Sequence, residues 1–303
     1  MQEKIIQTDS NNSYSFVNNN ETNLNEIIFH TFATDSFLKW LYISFYSIDL
    51  SYGFGIKKIV QTLNSEKYQD LIHKFSNNCE IFNLNLTNDH IAKKINLPIN
   101  KIEKYKDELK HGSTTEDNFK LKLFISVQLR YLSLKDTFDK ISQNKNFKYL
   151  IHSDVDVNHR GDLLSKIKKY SFDIALFGRS FLTSMNQPLG AYIILGNTKK
   201  TKKFLEKWGQ NINSIDFENW QRGYGQITLR DTLINMVKTN EIELFDLSSI
   251  PEVKFSKLSE KDADIWLNSN SKHEGSAFDT PFLNSISDIS ERIHLLSQSL
   301  EKI

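Results

Sequence analysis

The chain is poor in the residues that staple, interrupt or anchor a fold. Its 303 residues include one cysteine, Cys79. That excludes an internal disulfide framework and a cysteine-based zinc knuckle, and it fits a reducing compartment. Only four prolines occur, and no Pro/Gly/Ser-rich linker divides the sequence. An excess of charge is also missing: 38 basic against 37 acidic side chains leave a formal charge of +1. A near-neutral balance argues against a general nucleic-acid binder. No apolar run approaches the roughly 18 residues of a membrane span. The longest candidate, residues 37–50, contains Lys39, Ser44, Ser47 and Asp49. Residues 1–25 are Asn-rich and polar, without the apolar stretch of a secretory signal. The expectation is a polar lead-in over 1–25 and a single domain over 26–303, cytoplasmic. Peripheral docking at the inner face of the cytoplasmic membrane stays open.

What is present is apolar material in regular blocks. Hydrophobic residues make up 39% and phenylalanine alone numbers 21, a globular composition. Residues 26–32 (EIIFHTF) read as a buried strand, 37–50 as a helix, 56–63 as a strand, 68–75 as a helix and 80–86 as a strand. This alternation predicts an α/β fold with a mostly parallel sheet and crossover helices. Residues 99–143 read as mostly helical. Strands follow at 147–152, 173–177, 191–195, 242–247 and 265–268, with helices at 162–170, 199–211, 226–238 and 287–300.

The most informative residues are Asp154 and Asp156, which follow the apolar strand 147–152. Side chains two apart on an extended segment point to the same face, and ligands bind outside the carboxyl ends of strands in open α/β sheets. Two carboxylates this close repel, so the pair calls for a cation or a shared proton. Hard carboxylate oxygens suit Mg²⁺ or Mn²⁺. A bare D-x-D also occurs in ordinary strand-to-helix turns. On the long helical stretch, Leu123, Val127, Arg130 and Leu134 share one stripe. A guanidinium on an otherwise apolar face needs an anionic partner.

The segment KYLIHSDVDV, 148–157, resembles the DxD strand of GT-A glycosyltransferases, in particular family 8 and the nucleotide-diphospho-sugar transferase group. The resemblance implies a GT-A fold in which Asp154 and Asp156 hold Mn²⁺ or Mg²⁺ against the diphosphate of a nucleotide-sugar donor. It implies further donor contacts at Ser153 and Val155, at Arg130 (QLRYLSL is similar to the family's donor-facing helix), and at Gly190 and Ala191 beside the sugar. Thr31, Ala33, Thr34 and Asp35, at the end of the first strand, match where such folds bind the nucleoside; plain helix capping explains Asp35 equally well. KHEGS resembles the family's late His-x-x-Gly loop, which implies His273 as a third metal ligand and Lys272 and Gly275 on phosphate. The match is imperfect, because Gly275 follows His273 by two residues rather than three and the downstream Lys-Pro is missing.

The chemistry is less legible. The stretch GYGQITL, 223–229, is similar to the family's Asp-Gln-x-x-Leu segment, but Gly225 stands where the acid belongs. Asp216 and Glu218 lie upstream and offer substitutes, although a solvated loop explains both. Without the acid a retaining course gains, with Gln226 orienting the donor sugar. The acceptor class is a glycan, lipid-linked or protein hydroxyl. Lys-, Asn- and Ile-rich usage points to an AT-rich bacterium and to surface-polysaccharide assembly. Two rival readings use the same residues: a haloacid-dehalogenase-like phosphatase with Asp154 as nucleophile, and a nucleotide-sugar-binding protein without turnover.

Overall fold

The computed structural model describes residues 26–33, 38–53, 55–62, 78–83, 94–95, 97–98, 100–103, 116–155, 157–159, 163–178, 190–221, 223–253, 255–256 and 265–267. The expected helices at 68–75 and 287–300, together with Thr34, Asp35, Asp156, Lys272, His273 and Gly275, lie outside them.

In chain order the elements are β1 (Ile27–Ala33), α1 (Leu38–Tyr52), β2 (Lys57–Thr62), β3 (Cys79–Asn83), α2 (Glu116–Ile141), β4 (Tyr149–Ser153), β5 (Val157–His159) and α3 (Leu163–Ile167). They continue with β6 (Ile174–Leu176), β7 (Tyr192–Gly196), α4 (Lys199–Asn213), α5 (Tyr224–Lys238), β8 (Leu244–Asp246), β9 (Phe255–Ser256) and β10 (Ile265–Leu267). Seven strands form one sheet in the order β3-β2-β1-β4-β7-β6-β8. It is mostly parallel; β7 runs antiparallel to both β4 and β6. A small second sheet, β5-β10-β9, joins residues about a hundred positions apart.

Both faces of the large sheet are covered, which is why its strands read as nearly unbroken apolar runs. Alternate residues of β1 and β4 serve opposite cores. Ile27, Phe29, Tyr149 and Ile151 pack with Leu41, Phe45 and Ile48 of α1. Ile28, Phe32 and Leu150 pack on the other side with Phe124 and Leu129 of α2, Phe204 and Trp208 of α4, and Leu233 of α5. Gly209 lets α4 approach α2: a Cβ there would meet the Tyr131 hydroxyl at 2.0 Å, and that hydroxyl donates to the Leu205 carbonyl.

The order of the strands decides where a ligand can sit. The chain steps outward from β1 to β2 and β3, then returns to place β4 on the other side of β1. The crossovers on either side of β1 and β4 thus diverge, and the region outside the carboxyl ends of such strands is where open α/β sheets take ligands. His30 pairs in register with His152 there, so Thr31 comes level with Ser153 and Ala33 reaches two residues further at that switch point.

Candidate functional site

Asp154 is the first residue past β4. Its amide donates to the Ala191 carbonyl at 2.8 Å, and its own carbonyl accepts from Val157 at 3.0 Å. These bonds hold it at the switch point, next to the entry of β7. The side chain continues the alternation of Leu150 and His152, toward the face covered by α2. There Arg130 Nη1 donates to both carboxylate oxygens at 2.9 Å. Each partner is about a quarter exposed, 24% for Arg130 and 26% for Asp154. The anion demanded by Arg130 on its apolar stripe is therefore Asp154 itself.

Behind the carboxylate stand two buried histidines. His152 Nε2 lies 3.5 Å from Asp154 Oδ1, and His152 Nδ1 lies 3.0 Å from His30 Nδ1. Both rings are 1% exposed. Burial pushes both imidazoles below their ordinary range; the neighbouring ring adds to this at His30, while Asp154 opposes it at His152. Burial alone would raise the Asp154 carboxyl, but the Arg130 charge and His152 outweigh it and hold it down at about 2. Asp154 is thus a firmly ionised acid that solvent can still reach.

The other expected residues fall into three groups. Thr31, Ala33, Ser153, Val155, Gly190 and Ala191 gather around the ends of β1, β4 and β7, and all are buried. They are packed into the fold at that end of the sheet rather than exposed on it. A Cβ at Gly190 would lie 3.6 Å from Arg130 Nη2 and 3.5 Å from Leu229, ordinary contact distances, so the position lies between α5 and Arg130 with room for a methyl group. Gln226 sits in the first turn of α5, which begins at Gly223 with a left-handed φ of 96°. At Gly225 a Cβ would meet Val127 Cγ1 at 2.8 Å; the glycine is a contact between α5 and α2 where no acid fits without a shift.

Asp216 and Glu218 make their contacts elsewhere. Asp216 accepts from the Asn219 amide at 2.8 Å and its side chain at 2.9 Å, and those bonds lower its pKa. Glu218 pairs with Lys101 at 2.8 Å and is 77% exposed. Their loop docks through Phe217 and Trp220 on Phe124, about 9 Å of helix rise before Arg130. Among the described residues no group of three His, Cys, Asp or Glu side chains is placed to hold a metal ion. Asp154 alone of the expected ligands is described, and an ionised, reachable carboxylate has the donor chemistry a hard cation needs.

Reading the sequence for site residues passed over His30 and His152. A signal was present: each of two apolar strands, IIFHTFA and YLIHS, carries one histidine, at its fourth position.

No family model matches the sequence, and no curated protein does. Solved structures do. In layout the chain is similar to glycosyltransferases. The glycosyltransferase GlyE of Streptococcus pneumoniae TIGR4 matches with 12% identity and a TM-score of 0.48, over 90% of this chain and 64% of that one. The chain therefore spans just under two thirds of GlyE. The galactosyltransferase LgtC, in complex with donor and acceptor sugar analogs, matches at 11% identity and a TM-score of 0.47, over 90% and 95%. Core-mannan synthase A of Aspergillus fumigatus, in a Mn/GDP form, matches at 10% and 0.42, over 72% and 71%. These likenesses concern layout; the functional reading below rests on the residues at the sheet's edge.

Proposed function

We propose that the chain is a metal-dependent GT-A-type glycosyltransferase that moves a sugar from a UDP- or GDP-sugar to a glycan, lipid-linked or protein hydroxyl. One observation carries this reading: an ionised, partly exposed aspartate at the carboxyl end of β4, at the switch point of the sheet, held by a guanidinium that is itself partly exposed. An arrangement with one fixed anion and one fixed cation suits a ligand that brings both a divalent ion and phosphates. Asp154, Asp156 and His273 would hold Mn²⁺ or Mg²⁺. The ion supplies charge neutralisation for the departing nucleoside diphosphate.

The protein's own groups do the rest. Arg130 holds Asp154 in place and offers a second cation to the donor, where Lys272 and Gly275 are assigned to phosphate. Thr31, Ala33, Thr34 and Asp35 border the nucleoside, largely through backbone, since the side chains of Thr31 and Ala33 are buried. Gly190 and Ala191 leave room for the sugar. Gly225 abuts Val127 without space for an acid, which favours a retaining course in which Gln226 orients the donor sugar; Asp216 and Glu218 are the candidates for a base in an inverting one. The role in bacterial surface-polysaccharide assembly, cytoplasmic and at a membrane face, belongs to the same proposal. No helix among the described residues is long and apolar enough to cross a membrane.

A thermal-shift screen of UDP, GDP and CMP compounds with and without Mn²⁺ tests the reading, since a ligand that binds the folded state raises Tm by mass action. A Mn²⁺-dependent shift with UDP or GDP, abolished in Asp156→Ala, is expected. Equal shifts in the variant would remove the site from contention. Hydrolysis of p-nitrophenyl phosphate without any nucleotide-sugar activity would instead make the protein a phosphatase, and binding without sugar release a non-catalytic binder.

A further inference from the structure

We infer that His30, which touches neither donor nor metal in the reading above, positions the Asp154 carboxylate through His152. The inference deepens the proposed site and rests on Asp154 being the acid that holds the cation.

Two rings, each 1% exposed, share one contact. His30 and His152 sit on adjacent strands in register, and their Nδ1 atoms approach to 3.0 Å. Between two imidazoles that distance is a hydrogen bond only if one Nδ1 carries a proton and the other a lone pair. Each ring is then committed at its far nitrogen as well. His152 Nε2 faces the Asp154 carboxylate at 3.5 Å, and His30 Nε2 is buried with no hydrogen-bond partner among the described residues.

Two assignments are possible, and electrostatics separates them. If His152 donated from Nδ1, its Nε2 lone pair would point at a carboxylate, a repulsive contact. His30 would in turn bury an orphaned Nε2–H. In the reverse assignment His30 Nδ1–H donates to His152 Nδ1, His152 Nε2–H points at Asp154, and His30 is left with an unpaired acceptor rather than an unpaired donor. Both ends improve. The 3.5 Å separation is long for a formed hydrogen bond, yet the direction of the dipole toward the carboxylate still holds. The order is therefore His30 to His152 to Asp154, with Arg130 closing the other side of the carboxylate at 2.9 Å. Such outer partners fix the orientation of a metal-binding group, and losing one typically weakens metal binding.

The test uses the full chain with ¹⁵N-labelled histidine and Mn²⁺ as probe. In the metal-free wild-type protein, two-bond ¹H–¹⁵N spectra should show His30 as the Nδ1–H tautomer and His152 as the Nε2–H tautomer; His152 protonated on Nδ1 overturns the inference. Mn²⁺ affinity, read by paramagnetic relaxation of water, should fall about 10- to 100-fold in His30→Leu. It should return to within about threefold of wild type in His30→Asn, whose amide N–H replaces the Nδ1–H donor. Wild-type affinity in His30→Leu, or equal losses in both variants, would reduce His30 to packing and overturn the inference. Should His30→Leu not fold, the wild-type spectrum and His30→Asn still decide. Absence of Mn²⁺ binding by the wild-type protein would sink the metal reading instead, while the tautomers, recorded without metal, would separately report the hydrogen-bond direction.

Discussion

Lys58 and Asp49, locked between β2 and α1, form the same kind of acid–base pair as Arg130 and Asp154 at the end of β4, yet the two aspartates shift in opposite directions. Both side chains of the Lys58–Asp49 pair are fully buried. Desolvation there outweighs the lysine, and Asp49 is pushed up to about 6. At Asp154 burial also raises the carboxyl, but the guanidinium on both oxygens and His152 together outweigh it, and the carboxyl falls to about 2. Burial against charge decides which aspartate is held as an acid and which stays an ionised, partly exposed anion. A third pair, Lys101 and Glu218, is exposed and sets the bland end of the scale.

The largest effect should come from the sealed pair. Lys58→Met leaves Asp49 buried without a counter-charge and should lose about 3–5 kcal/mol in urea denaturation. Lys58→Met with Asp49→Leu should recover most of that, because removing both charges avoids the desolvation cost. If the double variant were as unstable as the single one, the pair would be contributing more than mutual compensation.

At the open pair the expected loss is of ligand rather than fold. Asp154→Asn should abolish the Mn²⁺-dependent Tm shift with UDP or GDP, while its unfolding midpoint moves less than that of Lys58→Met. The reverse ranking would make Asp154 structural and Asp49 the acid to pursue.

Stability against pH sharpens the contrast because the signs differ. The folded pKa of Asp49, about 6, lies above the ordinary 3.8, so the folded state holds the extra proton. Its contribution is present below about pH 4 and lost as pH rises through about 6. The folded pKa of Asp154, about 2, lies below 3.8; its contribution is full above about pH 4 and lost as pH falls toward 2. Urea midpoints from about pH 3 to 7 should therefore lose the neutral-side decline in Asp49→Asn and the acid-side rise in Asp154→Asn. Identical profiles would erase the distinction.

The smallest effect belongs to the exposed pair. Glu218→Gln should leave Tm unresolved from wild type, since solvent and side-chain entropy cancel most of such a contact. A loss of sugar transfer in that variant at unchanged Tm would promote Glu218 from loop residue to base.

Much of the fold was readable from local pattern. The strand before Asp154, expected at 147–152, is β4 (Tyr149–Ser153), and the Arg130 stripe lies within α2 (Glu116–Ile141). Less readable were pairings between distant segments. β5, three residues long, exists through β10, and nothing in Val157-Asn158-His159 announces a partner about a hundred residues away. The antiparallel direction of β7 is likewise absent from YIILG, because strand polarity is set by the connection and not by the strand's own residues. The stretch expected as mostly helical, 99–143, contains a helical turn at 100–103 and the long α2.

The chain's own periodicities determined which residues form strands and helices and which face each buries, since repeats of two and about 3.6 residues act over one or two turns of backbone. Only the assembled sheet decided that His30 meets His152, that Asp49 meets Lys58 and that Arg130 finds Asp154. Those meetings depend on which strands lie side by side and in what register. The same adjacency set the electrostatics: burial raises both aspartates, and one lysine fails to offset it at Asp49 while a guanidinium and an imidazole together overcome it at Asp154.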